Sequence, residues 1–457
     1  MPERASVVVV GAGISGLTAA HQLARTGASI VVVDAADRAG GMVHTEHWRG
    51  FTIEHGPEGF LSTRPEALEL IDDLGLAGDL VTGGPAPRRS FVLRRGRLQP
   101  LPQGVLQPTR TAARNLIASP LLSMRGRARL ALEPVVGRNR SASDESVASF
   151  VRRRFGAELL DELVEPLVGG VHGAGTDELS ANMILPGLRG IERDGASIAL
   201  RALRTPSPAA TGGLPPLVSM RGGMGQLVDA LAESLGDRLH LNAAVADLQQ
   251  GGSGWRVVLT DGRTIDADTV IVATPPATSA KLLAPLDAEL AALVDAQPMS
   301  RSQIVTLVWE PRDLGAGHPE PEGTGFLVPR NEGGHVAACT WVSAKWHHRA
   351  PAGGAIARLF LRPADGSFLP EDQAVDTARR VAAETLGLRA EPSRVIHAVW
   401  SAAIPVMHVG HRDRTERIAQ LVDAAPGLAL AGAGLEGGGL PACIRSGSLA
   451  AAALSRP

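Results

Sequence analysis

The sequence predicts an α/β plus α+β protein, in which a Rossmann-like domain is interleaved with a mixed-sheet domain and a helical, basic region. Three observations predict this fold. A strand, a glycine turn, a helix and a second strand follow one another near the N-terminus. A strand, a glycine-rich loop and a helix recur near the C-terminus, and four short strands are predicted between residues 300 and 362. The 457 residues are enough for two or three domains with sizeable cores.

The N-terminal segment has the order of a dinucleotide-binding unit. The apolar run Val7–Val10 predicts a buried strand, a glycine turn and a helix follow it, and a second buried strand ends at Asp34. Gly11 permits the tight turn, Gly13 lets the backbone approach a pyrophosphate, and Gly16 lets helix and strand pack closely. Asp34 can accept hydrogen bonds from a ribose. We predict a dinucleotide site, because a plain glycine-rich turn between buried strands does not explain Asp34.

Two further segments favour FAD as the dinucleotide. The segment Arg38–Gly41 resembles the RxGG element of FAD-binding proteins, and an acid at position 34 would repel the extra phosphate of NADP. Near the C-terminus the predicted strand Leu428–Ala431 leads into glycines between 432 and 439, and a helix is predicted from about Ala442. Such a helix N-terminus suits the pyrimidine edge of a flavin, where the reduced ring carries negative charge. The alternative is a second packing turn.

The composition is that of an ordinary globular protein, with 44% hydrophobic and 20% charged residues. The two cysteines, Cys339 and Cys443, have neither CxxC nor metal-ligand spacing, so we expect no metal site and no thiol catalysis. No uncharged run reaches the ~18 residues of a membrane span. The first apolar stretch is typical of a strand rather than of a signal peptide. These features predict a cytoplasmic protein.

The segment between Arg88 and Arg154 is strongly basic, although the net charge of the chain is only −2. It holds fifteen arginines against Glu133, Asp144 and Glu145. Such a segment attracts nucleic acid, anionic lipid or a polycarboxylate substrate. We exclude nucleic acid because neither interleaved aromatic residues nor a known binding module accompanies the arginines. Peripheral contact with an anionic membrane stays a prediction, and solvated arginines on surface helices are the alternative.

The pattern divides the chain into five segments. Residues 1–85, 216–295 and 396–457 are predicted to form the FAD-binding domain, residues 86–215 the helical region, and residues 296–395 the mixed-sheet domain. Strands of an antiparallel sheet are predicted at Gln303–Trp309, Gly325–Val328, Val336–Val342 and Ile356–Leu361. A helix is predicted at Glu371–Leu386 and a further strand at Arg394–Trp400.

Several motifs together resemble the protoporphyrinogen/coproporphyrinogen oxidase family of haem biosynthesis. The most specific are Glu165–Val171 (EPLVGGV), Phe326–Pro329 with Ala338–Trp341, and Gly439–Gly447 (GLPACIRSG). The resemblance implies an FAD domain like that of p-hydroxybenzoate hydroxylase, a substrate domain and a helical region facing a membrane. It also implies oxidation of a porphyrinogen to a porphyrin by oxygen, with release of hydrogen peroxide.

The resemblance also implies site residues. FAD contacts are expected at the following positions: Gly11, Gly13, Ile14, Ser15, Gly16, Asp34, Arg38, Gly41, Met42, Gly56, Pro57, Glu58, Val245, Trp400, Leu440, Pro441, Ala442, Cys443 and Ile444. Gly170 is expected against the macrocycle. His172 is a catalytic candidate beside it, although a lone histidine is more often packed or solvated. The chain departs from the family pattern at His172, Met407 and Glu436.

Arginines suggest how the substrate carboxylates are bound. Arg94, Arg95 and Arg97, on a predicted hairpin edge, and Arg64 are candidates to pair with propionates. Coproporphyrinogen III carries four propionates and protoporphyrinogen IX two, so the basic excess favours the former as substrate. Lys345 is a weaker candidate.

Three alternatives remain open on the sequence. The first is oxidation of protoporphyrinogen IX. The second is an amine-oxidase-like flavoenzyme, for which an aromatic cage is hard to build without tyrosine and with only eight phenylalanines. The third is a non-catalytic protein that binds FAD and porphyrin and delivers the porphyrin to a ferrochelatase. The expected partners are thus a porphyrinogen and oxygen, with a ferrochelatase and an anionic membrane as further candidates.

Overall fold

The computed structural model describes residues 1–83, 89–141, 143–206, 214–252, 254–315, 321–362 and 367–455. The chain divides into two compact units. The first unit comprises Met1–Thr82, Leu214–Pro298 and Arg412–Pro457, and the second comprises Gly83–Gly213 and Met299–His411. Each unit is therefore assembled from segments that are distant in the sequence.

The first unit combines a large sheet with helices on both of its faces. Its strands are Arg4–Val10, Ile30–Val33, Thr45–Trp48, Phe51–Glu54, Phe60–Leu61, Leu80–Thr82, Leu217–Met220, Leu239–His240, Val245–Gly251, Gly254–Leu259, Thr264–Val272 and Leu428–Leu430. Its longer helices are Ile14–Arg25, Pro65–Asp73, Gly225–Leu235, Pro276–Leu283, Ala288–Asp295, His411–Asp423 and Leu440–Leu454.

The first strand, Arg4–Val10, lies in the middle of the large sheet. It pairs in parallel with Ile30–Val33 on one side and with Thr264–Val272 on the other. Val7 and Val9 belong to one buried cluster, and Val8 and Val10 belong to the cluster on the opposite face. A parallel strand covered on both faces has no polar alternation, and this explains the unbroken run of valines.

The second unit contains a seven-stranded sheet and most of the short helices. In sheet order its strands are Arg394–Trp400, Ser302–Trp309, Ala355–Leu361, Val336–Trp341, Gly325–Leu327, Ser90–Arg94 and Arg97–Pro100. Its helices include Arg110–Ala118, Met124–Ala131, Val147–Phe155, Ala181–Ile184, Pro186–Arg193, Ile198–Arg204 and Glu371–Leu386, together with the π-helix Leu160–Gly169. The four strands predicted to be antiparallel pair in that way.

This sheet is mixed, as predicted, but two of its features differ from the sequence-based expectation. Ser90–Arg94, from the segment predicted as the helical region, joins the sheet in parallel with Gly325–Leu327. Arg394–Trp400 pairs with Ser302–Trp309, and the chain as far as His411 belongs to the second unit. The expected start of the last FAD-binding segment at residue 396 therefore needs correction. A local pattern predicts a strand but does not identify the strand that it pairs with.

The helical part of the second unit buries charges as well as apolar side chains. The side chains of Glu133, Arg154, Arg189 and Glu192 are fully buried. Arg154 binds Glu133, and Arg189 binds Glu192 at 2.5 Å. Burial alone would raise the pKa of Glu192, but hydrogen bonds from Arg153 and neighbouring charges lower it. Arg154 of the basic segment is thus internal and neutralised, which neither the anion-binding nor the solvated interpretation anticipated.

Candidate active site

Two glycines of the first turn, Gly11 and Gly16, are packed against backbone atoms, whereas space remains beside Gly13. Gly11 has φ +111°, and a Cβ atom there would lie 2.6 Å from the carbonyl oxygen of Ala273. A Cβ atom on Gly16 would lie 1.9 Å from the carbonyl oxygen of Gly11. A Cβ atom on Gly13 would meet nothing within 4 Å. The open glycine is the one at which the fingerprint requires close approach of a pyrophosphate.

Asp34 follows the second strand and forms hydrogen bonds with the backbone of the glycine turn. Its carboxylate accepts a hydrogen bond from the backbone N–H of Ala12 at 2.6 Å and another from that of Ala36 at 2.8 Å. Its carbonyl oxygen accepts from the N–H of Ala243 at 2.7 Å, which brings the strand that contains Val245 close to it. Each carboxylate oxygen has two lone pairs, so acceptor capacity remains for a ribose.

The second glycine pair lies against the first turn. The N–H of Gly40 donates to the carbonyl oxygen of Ala12 at 2.8 Å, and a Cβ atom on Gly41 would lie 3.4 Å from the Cα atom of Gly13. Arg38 donates to the Gly41 carbonyl oxygen at 2.7 Å, so it also stabilises this segment from within.

Residues 56–58 begin at a close contact with Met42, next to the second glycine pair. A Cβ atom on Gly56 would lie 1.8 Å from the carbonyl oxygen of Met42, so only glycine allows these two segments to touch. Met42 itself is exposed. The structure thus brings together, in one unit, the expected cofactor residues of the first glycine turn, of the second glycine pair and of Gly56–Glu58.

The C-terminal helix Leu440–Leu454 packs directly on the first helix. A Cβ atom on Gly447 would lie 2.2 Å from the carbonyl oxygen of Ser15, so the two backbones are in contact. Gly439 precedes this helix with φ +86°. Burial raises the pKa of Cys443 to about 11, although a hydrogen bond with Ser15 opposes the shift. The thiol is therefore protonated at neutral pH.

One expected cofactor residue, Trp400, lies in the second unit. A residue that the sequence analysis missed is Ala273, which follows the strand Thr264–Val272 and supports Gly11. The sequence signal was a small residue at the end of an apolar run, but the pairing of this strand with the first one is visible only in the structure.

The segment expected to border the substrate contains a π-helix in the second unit. It spans Leu160–Gly169 and leads into the short helix Gly170–His172. Gly170 is exposed, and a Cβ atom there would lie 3.6 Å from a methyl carbon of Leu327. Burial lowers the pKa of His172. Segments of π-helix are rare and occur frequently at functional sites.

The arginines predicted to bind propionates do not act as a group. Arg94 forms an ion pair with Glu162 of the π-helix, so its charge is already neutralised. Arg95 and Arg97 are exposed at the turn of the hairpin. Arg64 precedes the helix Pro65–Asp73 of the first unit. The prediction that Arg94 is available for substrate therefore needs correction, since only a tertiary contact shows the pairing.

The remaining candidates have simple structural environments. Met407 is buried, and Glu436 forms an ion pair with Arg445 at 3.1 Å. Lys345 ends the short helix Val342–Lys345, not a strand, and its Nζ atom lies 5.5 Å from the ring centroid of Trp346.

Comparison with known proteins identifies the family. A family model described as flavin containing amine oxidoreductase matches residues 14–455. Coproporphyrinogen III oxidase of Propionibacterium freudenreichii is 33% identical, with 96% of this chain and 88% of the relative covered. The enzyme of the same name from Bacillus subtilis is 31% identical, with 97% and 96% covered. The chain belongs to the protoporphyrinogen/coproporphyrinogen III oxidase family of flavin-containing amine oxidoreductases.

Solved structures agree with this family. A structure provisionally assigned as a protoporphyrinogen oxidase from Exiguobacterium sp. 255-15 has a TM-score of 0.85 and 26% identity, and 99% of each chain is covered. Reduced UDP-galactopyranose mutase, at 18% identity and a TM-score of 0.71, shares the fold. The predicted family and cofactor are confirmed, and the cofactor is FAD. The open Gly13 and the close contact between Gly56 and Met42 fit such a dinucleotide.

Proposed function

We propose that this chain oxidises coproporphyrinogen III to coproporphyrin III in haem biosynthesis, with oxygen as acceptor and hydrogen peroxide as product. One observation carries the proposal. A dinucleotide turn with an open second glycine and a C-terminal helix packed against it occur together in a chain whose relatives are named coproporphyrinogen III oxidases along nearly its whole length. Protoporphyrinogen IX is the second candidate substrate, because a tobacco chloroplast relative, 29% identical, is named for that activity.

FAD supplies the two-electron oxidation when it is bound. We infer that the glycine turn receives the pyrophosphate at Gly13 and that Asp34 binds the ribose. The start of the C-terminal helix would hold the flavin, and the backbone N–H groups of its first turn, which no side chain caps, would stabilise negative charge there. The full set of proposed contacts is the set expected from the sequence, including Val245 and Trp400.

The substrate residues proposed on the second unit are fewer. Gly170 borders the macrocycle, because an exposed glycine lets a flat ring approach the backbone. His172 is the proposed proton acceptor, since the lowered pKa keeps its imidazole neutral at physiological pH. Arg95 and Arg97 remain proposed contacts of propionates at the exposed edge of that unit, and Arg64, an exposed residue of the first unit, remains a further proposed contact.

Oxygen uptake tests the proposed reaction. Purified holoprotein is assayed with coproporphyrinogen III, protoporphyrinogen IX and a primary amine such as putrescine, while peroxide and porphyrin absorbance are followed. We expect kcat/KM to be highest for coproporphyrinogen III, with one peroxide per two electrons removed. Turnover of the amine alone would establish the amine-oxidase alternative. Tight binding of coproporphyrin without any peroxide would establish the porphyrin-carrier alternative, in which a ferrochelatase receives the porphyrin.

We also propose that the helical region makes a peripheral contact with an anionic membrane. Met124 is 75% exposed and Val135 is 80% exposed, and exposed arginines such as Arg125 and Arg138 accompany them. Exposed apolar side chains among arginines suit the headgroup region of an acidic bilayer. None of the described helices is both long enough and apolar enough to cross a membrane.

Cosedimentation with vesicles tests this contact. Vesicles containing phosphatidylglycerol should bind the protein, and vesicles of phosphatidylcholine alone should not. The double variant Met124→Ser, Val135→Ser should bind several-fold less, whereas Leu449→Ser, at an exposed site on the first unit, should bind normally. Equal sedimentation of all three proteins would contradict the proposal.

A further inference from the structure

A second group of charged residues, different from the hairpin arginines Arg94, Arg95 and Arg97, borders the π-helix. It consists of Glu165 on the π-helix, Arg330 three residues beyond the end of the strand Gly325–Leu327, and Arg362 directly after the strand Ala355–Leu361. The Nε atom of Arg330 lies 2.9 Å from a carboxylate oxygen of Glu165. All three residues belong to the second unit.

Glu165 is held in place by the protein and orients Arg330. Its second oxygen accepts hydrogen bonds from the backbone N–H of Thr176, at 3.0 Å, and from the hydroxyl of the same residue. The Glu165 side chain is only 16% exposed, whereas that of Arg330 is 60% exposed. A guanidinium held through Nε keeps a fixed plane and presents its terminal nitrogens in a fork that matches a carboxylate.

Arg362 contributes a charge that is poorly compensated. Its guanidinium donates to the carbonyl oxygen of Val328. Burial and the nearby charge of Arg330 lower its pKa to about 10, and the charge of Glu165 offsets this only in part. Two cations therefore share the field of one carboxylate, and one of them, Arg362, is partly withdrawn from water. Such an arrangement favours a second carboxylate.

This cluster adjoins the proposed macrocycle wall. A Cβ atom on Gly169 would lie 3.1 Å from a carboxylate oxygen of Glu165, and one on Gly170 would lie 3.6 Å from Leu327. Leu327 ends the strand after which Arg330 begins the next turn. Arg330 thus lies shortly after Leu327, the residue that borders Gly170.

We propose that Arg330 and Arg362 together bind a propionate carboxylate of the substrate, with Glu165 as a positioning residue for Arg330. The proposal rests on the proposed function and names the part of the substrate that this site recognises. It also replaces Arg94, whose charge Glu162 neutralises, as the main carboxylate contact beside the π-helix.

The test measures binding of coproporphyrin III, which is stable in air, and of its tetramethyl ester in the same detergent buffer. Wild type, Arg330→Gln, Arg362→Gln and Arg362→Lys are compared. Arg379→Gln is the matched control, because Arg379 pairs with Glu391 at 2.8 Å on the helix Glu371–Leu386 of the same unit. Thermal unfolding and flavin absorbance check that each protein is folded and loaded.

We expect Arg362→Gln to weaken binding of the acid about 10- to 100-fold, as loss of a partly buried carboxylate partner does. Arg330→Gln should weaken it several-fold, because the Arg330 side chain is 60% exposed and its charge is screened by water. Binding of the ester should stay the same, so the preference for the acid is lost. KM for coproporphyrinogen III should rise with little change in kcat. Arg362→Lys should restore part of the affinity, and the control should behave as wild type.

The outcomes separate this inference from the proposed function. If wild type neither binds coproporphyrin III nor oxidises coproporphyrinogen III, the proposed function is wrong. If wild type does both and the two Gln variants keep its preference for the acid over the ester, the carboxylate site is wrong and the function stands. Should Arg362→Gln fail to fold, the more exposed Arg330→Gln decides the matter alone.

Discussion

The glycine turn allows a substitution that separates folding from cofactor binding. Gly13 has φ −70° and ψ 171°, an extended conformation that alanine adopts without strain, and a methyl group there meets no protein atom within 4 Å. Gly13→Ala should therefore change the stability of the apoprotein by no more than about 0.5 kcal/mol. The methyl group nevertheless occupies the space into which the pyrophosphate must come.

The expected effect on FAD is large. A methyl group that prevents close approach of the backbone should weaken FAD binding about 100-fold, which is about 2.7 kcal/mol. At an FAD concentration one hundred times the wild-type Kd, the stabilisation by FAD should fall from about 2.7 to about 0.4 kcal/mol. Fluorescence titration of deflavinated protein gives the Kd, and urea unfolding with and without FAD gives the stabilisation.

Gly16→Ala is the contrasting variant. Its Cβ atom would lie 1.9 Å from the Gly11 carbonyl oxygen, a backbone atom that cannot move without opening the turn. Overpacking of this kind should cost the apoprotein about 3 kcal/mol. The reasoning would be refuted if Gly13→Ala bound FAD as tightly as wild type, or if both variants destabilised the apoprotein equally.

Three further predictions concern single side chains. Glu133→Gln should lower the free energy of unfolding by about 3–5 kcal/mol, because Arg154 would keep a fully buried charge. Urea denaturation measures this free energy, and a change no larger than that of an exposed substitution would contradict the prediction. Cys443 should resist iodoacetamide at pH 8 in the folded protein and react after denaturation, since its pKa is about 11. Mass spectrometry measures the labelling, and rapid labelling of the folded protein would contradict this prediction. The pKa of His172 is lower in the folded state than in the unfolded chain, so the unfolded chain binds more protons in acid and stability should fall as pH drops below about 6.5. His172→Gln should flatten that part of the pH–stability curve, and an unchanged slope would show that other groups cause it.

The sequence indicated the local parts of the cofactor site because their signals are local. A run of valines, a glycine fingerprint and an acid at the end of the next strand occur within one short segment, and each has a direct conformational meaning. The strand Arg394–Trp400 was likewise predicted with its correct bounds. Its unit was not, because strand propensity does not specify a partner.

Local sequence patterns could not predict which arginines form buried ion pairs. Arg94 and Arg154 look alike in a basic segment, yet one binds Glu162 and the other is buried against Glu133. The π-helix Leu160–Gly169 is a second case, since the sequence analysis did not predict it, although it contains Pro166, which cannot donate a helical hydrogen bond.

The amino-acid sequence by itself thus determined the two glycine loops, the order of most strands and helices, the family and the cofactor. Backbone geometry at glycines and the burial of apolar runs depend on neighbours along the chain. Only the tertiary structure decided which charges are neutralised and which remain to bind a carboxylate. Coulombic pairing depends on distance in space, and the residues of the pairs Arg94–Glu162 and Arg154–Glu133 come from different elements of the fold.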